Sequence, residues 1–95
     1  MNDVSSLVVT LYTREGCHLC DEAKVAMVPA ITQHNAELRE IDIDDDAELR
    51  AMYNDSVPVI FIGADFFARY RVEAAKFEKA LSGALRSRSD LLLKL

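Results

Sequence analysis

Two cysteines three residues apart, Cys17 and Cys20, stand where the chain changes from a strand pattern to a helix pattern. Ahead of them residues 7–12 read Leu-Val-Val-Thr-Leu-Tyr, a β-branched and aromatic run that suits a central strand covered on both faces. Residues 13–16, Thr-Arg-Glu-Gly, form a short loop. From Cys17 onward, Cys20, Ala23, Met27 and Ile31 recur at steps of three or four, which predicts a helix. Asp21 and Glu22 in its first turn suit the positive end of the helix dipole. Pro29 removes the hydrogen bond to the Val25 carbonyl, so a kink or early stop is expected there. The chain has only these two cysteines, so it lacks the framework of a disulfide-stapled extracellular domain. A single close pair points to a redox or metal motif in the cytoplasm.

The spacing carries specific chemistry. Thiol–disulfide exchange needs a nucleophilic thiolate and a second thiol close enough to resolve the mixed disulfide. At a helix start, a separation of three puts both sulfurs on one face. Cys17 then meets the unpaired N–H groups and the dipole, which favour a thiolate. Cys20, one turn inside, is the more shielded. Cys17 is therefore the expected attacking sulfur and Cys20 the resolving one. Arg14 and a charged His18 favour the thiolate, while Glu15, Asp21 and Glu22 oppose it. Two buried free thiols, or a metal held through the pair, are the competing readings. Zinc usually takes four protein ligands, however, and His34 lies more than three turns along the helix, so no metal site is expected within the chain.

The rest of the chain completes an α/β pattern. Residues 38–43 (Leu-Arg-Glu-Ile-Asp-Ile) end in alternation and predict a second strand. An acidic run with Asp42, Asp44, Asp45, Asp46 and Glu48 follows, read as a solvated loop and helix start, then a helix over residues 47–53. Residues 57–62 predict a third strand beginning near Pro58. Residues 63–65 make a hairpin connection to a fourth strand over residues 66–71, and a last helix runs from residue 72 or 73 to 86. The order is β-α-β-α-β-β-α, with the first two strands parallel through a right-handed crossover. A third strand antiparallel to the first brings Pro58 beside Cys17. One domain is expected over residues 1–95, with a core of about 7–86 and a tail of 87–95 that either extends the last helix onto the core or stays partly exposed.

Charge and hydropathy narrow the partners. Lys and Arg total 11 against 16 for Asp and Glu, a net charge of −5, which argues against a nucleic-acid partner. No stretch approaches the ~18 apolar residues of a membrane span, and residues 1–6 lack the basic start of a secretory leader. A cytoplasmic monomer is the expectation.

Tyr12-Thr13-Arg14-Glu15-Gly16-Cys17-His18-Leu19-Cys20, followed by Ser56-Val57-Pro58-Val59-Ile60-Phe61-Ile62, resembles the glutaredoxin-like branch of the thioredoxin superfamily over about residues 7–86. It is similar in detail to a bacterial glutaredoxin-like group whose members often carry a C-x-L-C pair. The resemblance implies a thioredoxin/glutaredoxin-like fold with a mixed four-stranded sheet flanked by helices. It implies a thiol–disulfide oxidoreductase of cell redox homeostasis and electron transport, with Cys17 as nucleophile and Cys20 as resolving thiol. Pro58 is then a cis-proline, and Val57 offers backbone hydrogen bonds to an extended substrate. Protein or small-molecule disulfides are the implied substrates, with a thiol reductant and no resident cofactor. The alternative is a non-catalytic binding or redox-sensing module of the same fold that holds a metal or partner through the cysteines.

Three departures bear on glutathione, the co-substrate the resemblance implies. The middle residues are His18-Leu19 rather than Pro-Tyr. The nearest basic residue before Cys17 is Arg14 rather than a close Lys. Arg69-Tyr70-Arg71-Val72-Glu73 stands where a Gly-Gly pair and an Asp are usual. Weak glutathione binding is expected, with Arg14 and Arg71 as candidate substrate-binding groups in place of the missing backbone site.

Overall fold

A computed structural model of the chain describes residues 7–93. In chain order the elements are β1 (Val8–Thr13), α1 (His18–Gln33), β2 (Glu37–Asp42), a 3-10 turn (Ile43–Asp45), α2 (Ala47–Tyr53), β3 (Val59–Ile62), β4 (Asp65–Arg69) and α3 (Ala74–Leu93). The sheet order is β2-β1-β3-β4. β1 runs parallel to β2 and antiparallel to β3, and β3 pairs antiparallel with β4. The expected mixed four-stranded α/β sheet is present, and the register sets Tyr12 opposite Val59. The last residue of β1 before Thr13 therefore faces the first of β3, and the loop to Cys17 and the segment ending in Pro58 share one end of the sheet.

Alternation along β1 and β3 sends Val9, Leu11, Ile60 and Ile62 to one face, where α1 contributes Ala23, Met27, Ala30 and Ile31 and α3 contributes Phe77 and Leu81. All are buried. Removing the larger of these side chains from water stabilises the fold by about 1.5–3 kcal/mol each. On the other face Tyr12 packs between Tyr53 and Phe61, with ring centroids 5.0 and 5.9 Å away. This contact anchors α2, none of whose residues is buried.

Several boundaries differ from expectation for identifiable reasons. α1 runs through Pro29 to Gln33 without the expected stop. Pro29 is exposed, while the turn beyond it buries Ala30 and Ile31, and that burial offsets the lost hydrogen bond. β3 begins at Val59 rather than Val57, because Pro58 has no N–H to give. The Val57–Pro58 peptide is cis, as the resemblance implied. β4 is shifted to Asp65–Arg69 and ends where Tyr70 adopts φ +69°. α3 continues past Arg86 to Leu93, since residues 87–93 contain neither Gly nor Pro to stop it. The side chains of the tail's last residues lie outside the described set.

The acidic run serves as caps. Asp42 accepts from the Asp44 N–H, and Asp46 accepts from the N–H groups of Glu48 and Leu49 to open α2. α1 and α3 are tied at one end by His34, whose Nε2 lies 2.9 Å from Glu78 Oε2. Ser82 Oγ donates to the same carboxylate oxygen at 3.0 Å.

Candidate active site

Gly16 reverses the chain between β1 and α1 at φ +79°, a backbone conformation that glycine adopts freely. The turn is closed by the Cys17 N–H donating to the Arg14 carbonyl at 3.2 Å. Cys17 then takes the N-cap of α1 with extended dihedrals, φ −88° and ψ 104°, and its Sγ accepts the backbone N–H of Cys20 at 3.0 Å. A cysteine thus fills the position that Ser, Thr or Asp usually holds, with its sulfur aimed at the unpaired donors of a 16-residue helix. Cys17 and Cys20 form a disulfide with Cα atoms 5.2 Å apart. Their exposures differ sharply: Cys17 is partly open to solvent, whereas Cys20 is 2% exposed on the core side of the helix. The cysteine expected to attack is the more exposed of the two.

The other expected site residues fall in three places. Pro58 is buried at the entry to β3, and its carbonyl accepts the Tyr70 N–H at 2.8 Å. Val57 before it is half-buried. Arg71 lines a cleft of about 180 Å³ with Leu19, Glu22 and Ala23 of α1 and the segment Tyr70, Val72 and Glu73. Its Nη1 stands 3.9 Å from Glu22 Oε1, both groups being largely exposed, so this pair orders Arg71 only weakly. Arg14 points elsewhere. Its Nε and Nη2 each donate to one oxygen of Asp44 at 2.9 Å, Nη1 donates to the Asn54 carbonyl at 3.0 Å, and Nη2 donates to Asn54 Oδ1 at 2.9 Å. The hydrogen bonds to Asp44 raise the guanidinium's already high pKa and hold the Asp44 carboxyl below the usual carboxylate range. The structure therefore brings Arg71 to the helix turn after Cys17 and commits Arg14 to Asp44 and Asn54.

Sequence reading missed Asp44, Asn54 and Tyr70. Tyr70 donates its N–H to Pro58 and its hydroxyl to the Asp55 carbonyl at 3.1 Å, bracketing the segment that leads into the cis peptide. An aromatic residue standing where a glycine pair was expected was the one available sign. Among the described residues no group of three or more His, Cys, Asp or Glu is arranged to hold a metal ion.

Residues 8–82 match the family described as glutaredoxin-like domain (DUF836). The chain belongs to this glutaredoxin-like family. A glutaredoxin-like protein of Dictyostelium discoideum, the YDR286C homolog, is 28% identical over 92 residues, covering 90% of this chain and 85% of that protein. Among solved structures, protein XcR50 of X. campestris is 33% identical with a TM-score of 0.62, covering 79% of this chain and 96% of its own. Thioredoxin-2 of the malaria parasite superposes with a TM-score of 0.63 over 82% of each chain at 16% identity, a likeness of fold alone. The glutaredoxin-like chain thus combines the thioredoxin fold with a cysteine pair at bonding distance at the start of α1. No helix among the described residues is long and apolar enough to cross a membrane.

Proposed function

We propose that this glutaredoxin-like protein is a thiol–disulfide oxidoreductase working in the cytoplasm on protein or small-molecule disulfides. The Cys17 thiolate attacks one sulfur of a substrate disulfide, forming a mixed disulfide and expelling the other sulfur as a thiolate. Cys20 loses its proton and attacks Cys17 Sγ, which releases the second substrate thiolate and closes the Cys17–Cys20 bond. The substrate gains two electrons and the protein loses two, so a separate thiol reductant resets the pair.

The observation that carries this reading is the asymmetry of the two sulfurs. Cys17, a partly exposed residue, sits at a helix N-cap, and its Sγ accepts the Cys20 N–H. Cys20 is buried one turn inside, within bonding reach. The N-cap donors favour a thiolate at Cys17, and a shielded partner resolves the mixed disulfide without competing for substrate. The half-buried Val57 offers an extended substrate backbone hydrogen bonds, and Arg71 lies at the cleft beside Leu19. The protein is proposed to act as a monomer without a resident cofactor.

The test is disulfide reduction with dithiothreitol, glutathione and a thioredoxin–thioredoxin reductase couple as alternative electron donors. Turnover with at least one donor, lost in Cys17→Ser, is the expected result. Inertness with all three overturns the reading.

A further inference from the structure

We propose that Arg14 is a positioning residue for Cys17, locked with Asp44 and Asn54 into a strut that fixes where the loop of residues 13–16 delivers the cysteine. The inference rests on the oxidoreductase reading and adds to it a residue with a role different from substrate binding.

Three observations carry it. The first is the fit of the guanidinium: four donations from a group with five N–H donors go to partners 30 and 40 residues away, two of them to the paired oxygens of one carboxylate. That planar, two-pronged geometry is the one in which a partly exposed ion pair holds a side chain in place. The second is the backbone of the same residue. The Arg14 carbonyl receives the Cys17 N–H, so the anchored residue is also the one that closes the turn into α1. The third is that the loop has little else to hold it. Nothing lies within 4 Å of where a Cβ would stand on Gly16, the only residue besides exposed Glu15 between Arg14 and Cys17. The side chain of Arg14 therefore ties the cysteine's approach to the 3-10 turn through Asp44 and to the end of α2 through Asn54.

The strut also sets the charge that Cys17 meets. Arg14 faces Asp44, Asp42 and Asp55, so its positive charge is compensated within its own cluster. Arg50 of α2 donates to the Asp44 carbonyl at 3.2 Å and sets a second positive charge near the Asp44 carboxylate. The other charged groups on the surrounding elements are Glu15 of the loop, His18, Asp21 and Glu22 of α1, and Arg71 and Glu73 across the cleft.

The experiment compares the full-length protein with Arg14→Gln, Arg14→Lys, Asp44→Asn and the Arg14→Gln/Asp44→Asn double variant. Two substrates are used, oxidised glutathione, which is anionic, and hydroxyethyl disulfide, which is uncharged. Each single change is expected to lower kcat/KM on both disulfides by a similar factor of roughly tenfold, the kind of loss that follows misplacement of a reacting group. Lys should fail like Gln, because an ammonium cannot reproduce the fork. Arg14→Gln slowing only oxidised glutathione, with Asp44→Asn speeding it by freeing the guanidinium, overturns the strut in favour of direct substrate binding. A second readout is the pH midpoint of iodoacetamide alkylation at Cys17 in the reduced protein. The midpoint should rise in Arg14→Gln, which leaves only Arg50 to offset Asp44, fall in Asp44→Asn, and return near the parent value in the double variant. Midpoints that stay put, or that move the same way in both single variants, also overturn it. Alkylation requires no turnover. A parent protein that reduces neither disulfide therefore sinks the oxidoreductase reading, while the midpoints still decide the strut.

Discussion

The backbone N–H of Cys20 donates to Cys17 Sγ at 3.0 Å, so the buried cysteine's own amide supports the sulfur of the one proposed to attack. In the reduced protein this donor and the helix dipole favour a Cys17 thiolate. Alkylation at mildly acidic pH, followed by peptide mass spectrometry, is expected to label Cys17 first and to leave the 2%-exposed Cys20 largely unmodified. Labelling of Cys20 ahead of Cys17 would reverse the roles.

Glutathione is expected to be a poor partner. Arg69-Tyr70-Arg71-Val72-Glu73 stands where the resemblance implies a glycine pair and an Asp, Arg14 is held by Asp44 and Asn54, and Arg71 has Glu22 at 3.9 Å. A tripeptide with two carboxylates and an ammonium depends on a few placed polar groups, and here Arg14 is engaged elsewhere while Arg71 is only weakly held in place. Titrating reduced glutathione into the Cys20→Ser variant while following backbone NMR shifts should give weak, diffuse changes. Strong shifts localised at Val57 and Arg71, with efficient glutathione-dependent turnover, would contradict this.

The clasp between α1 and α3 makes stability fall in acid. Hydrogen bonds from His34 and then Ser82 lower the Glu78 carboxyl below its ordinary value of 4.5. A carboxyl depressed in the folded state contributes stability that is fully present above the unfolded value and is lost as pH falls through the lower folded value. Urea unfolding from pH 7 down to pH 3 should therefore show a smaller loss below about pH 4.5 in Glu78→Gln than in the parent. Identical acid limbs for the two proteins would remove Glu78 from the account.

Phe77 tests the core. It is fully buried, and its ring meets Phe67 at a centroid distance of 5.5 Å in a near-perpendicular arrangement. Phe77→Ala should cost about 3–5 kcal/mol in urea unfolding. Met52→Ala, at a side chain 62% exposed on α2, should change stability by no more than about 0.5 kcal/mol. Equal losses at both positions would mean that α3 does not pack on the sheet as described.

What the sequence disclosed follows from the range of each signal. The strand at Val8–Thr13, the cysteine pair and the helix behind it are local patterns set by residues within a few positions of one another, and they read correctly. Helix ends read less well. α1 passed Pro29 because Ala30 and Ile31 are buried against the sheet, and α3 passed Arg86 because nothing in the following residues stops a helix. Arg14 was the least legible residue. Its charge made it a candidate for substrate, but its partners are 30 and 40 residues away on exposed segments, where no periodicity points to them. Asp44 was hidden for the same reason, as one acidic residue in a run whose neighbours Asp42 and Asp46 are ordinary caps.

The most direct test of the central claim is to mix the Cys20→Ser variant with a small peptide disulfide and measure the intact mass and the site of attachment. The account expects a stable mixed disulfide at Cys17, reversed by dithiothreitol, while the parent protein passes through to the Cys17–Cys20 disulfide and releases both peptide thiols. An unmodified Cys17 in the variant, with the parent's thiols equally unreactive, would contradict it.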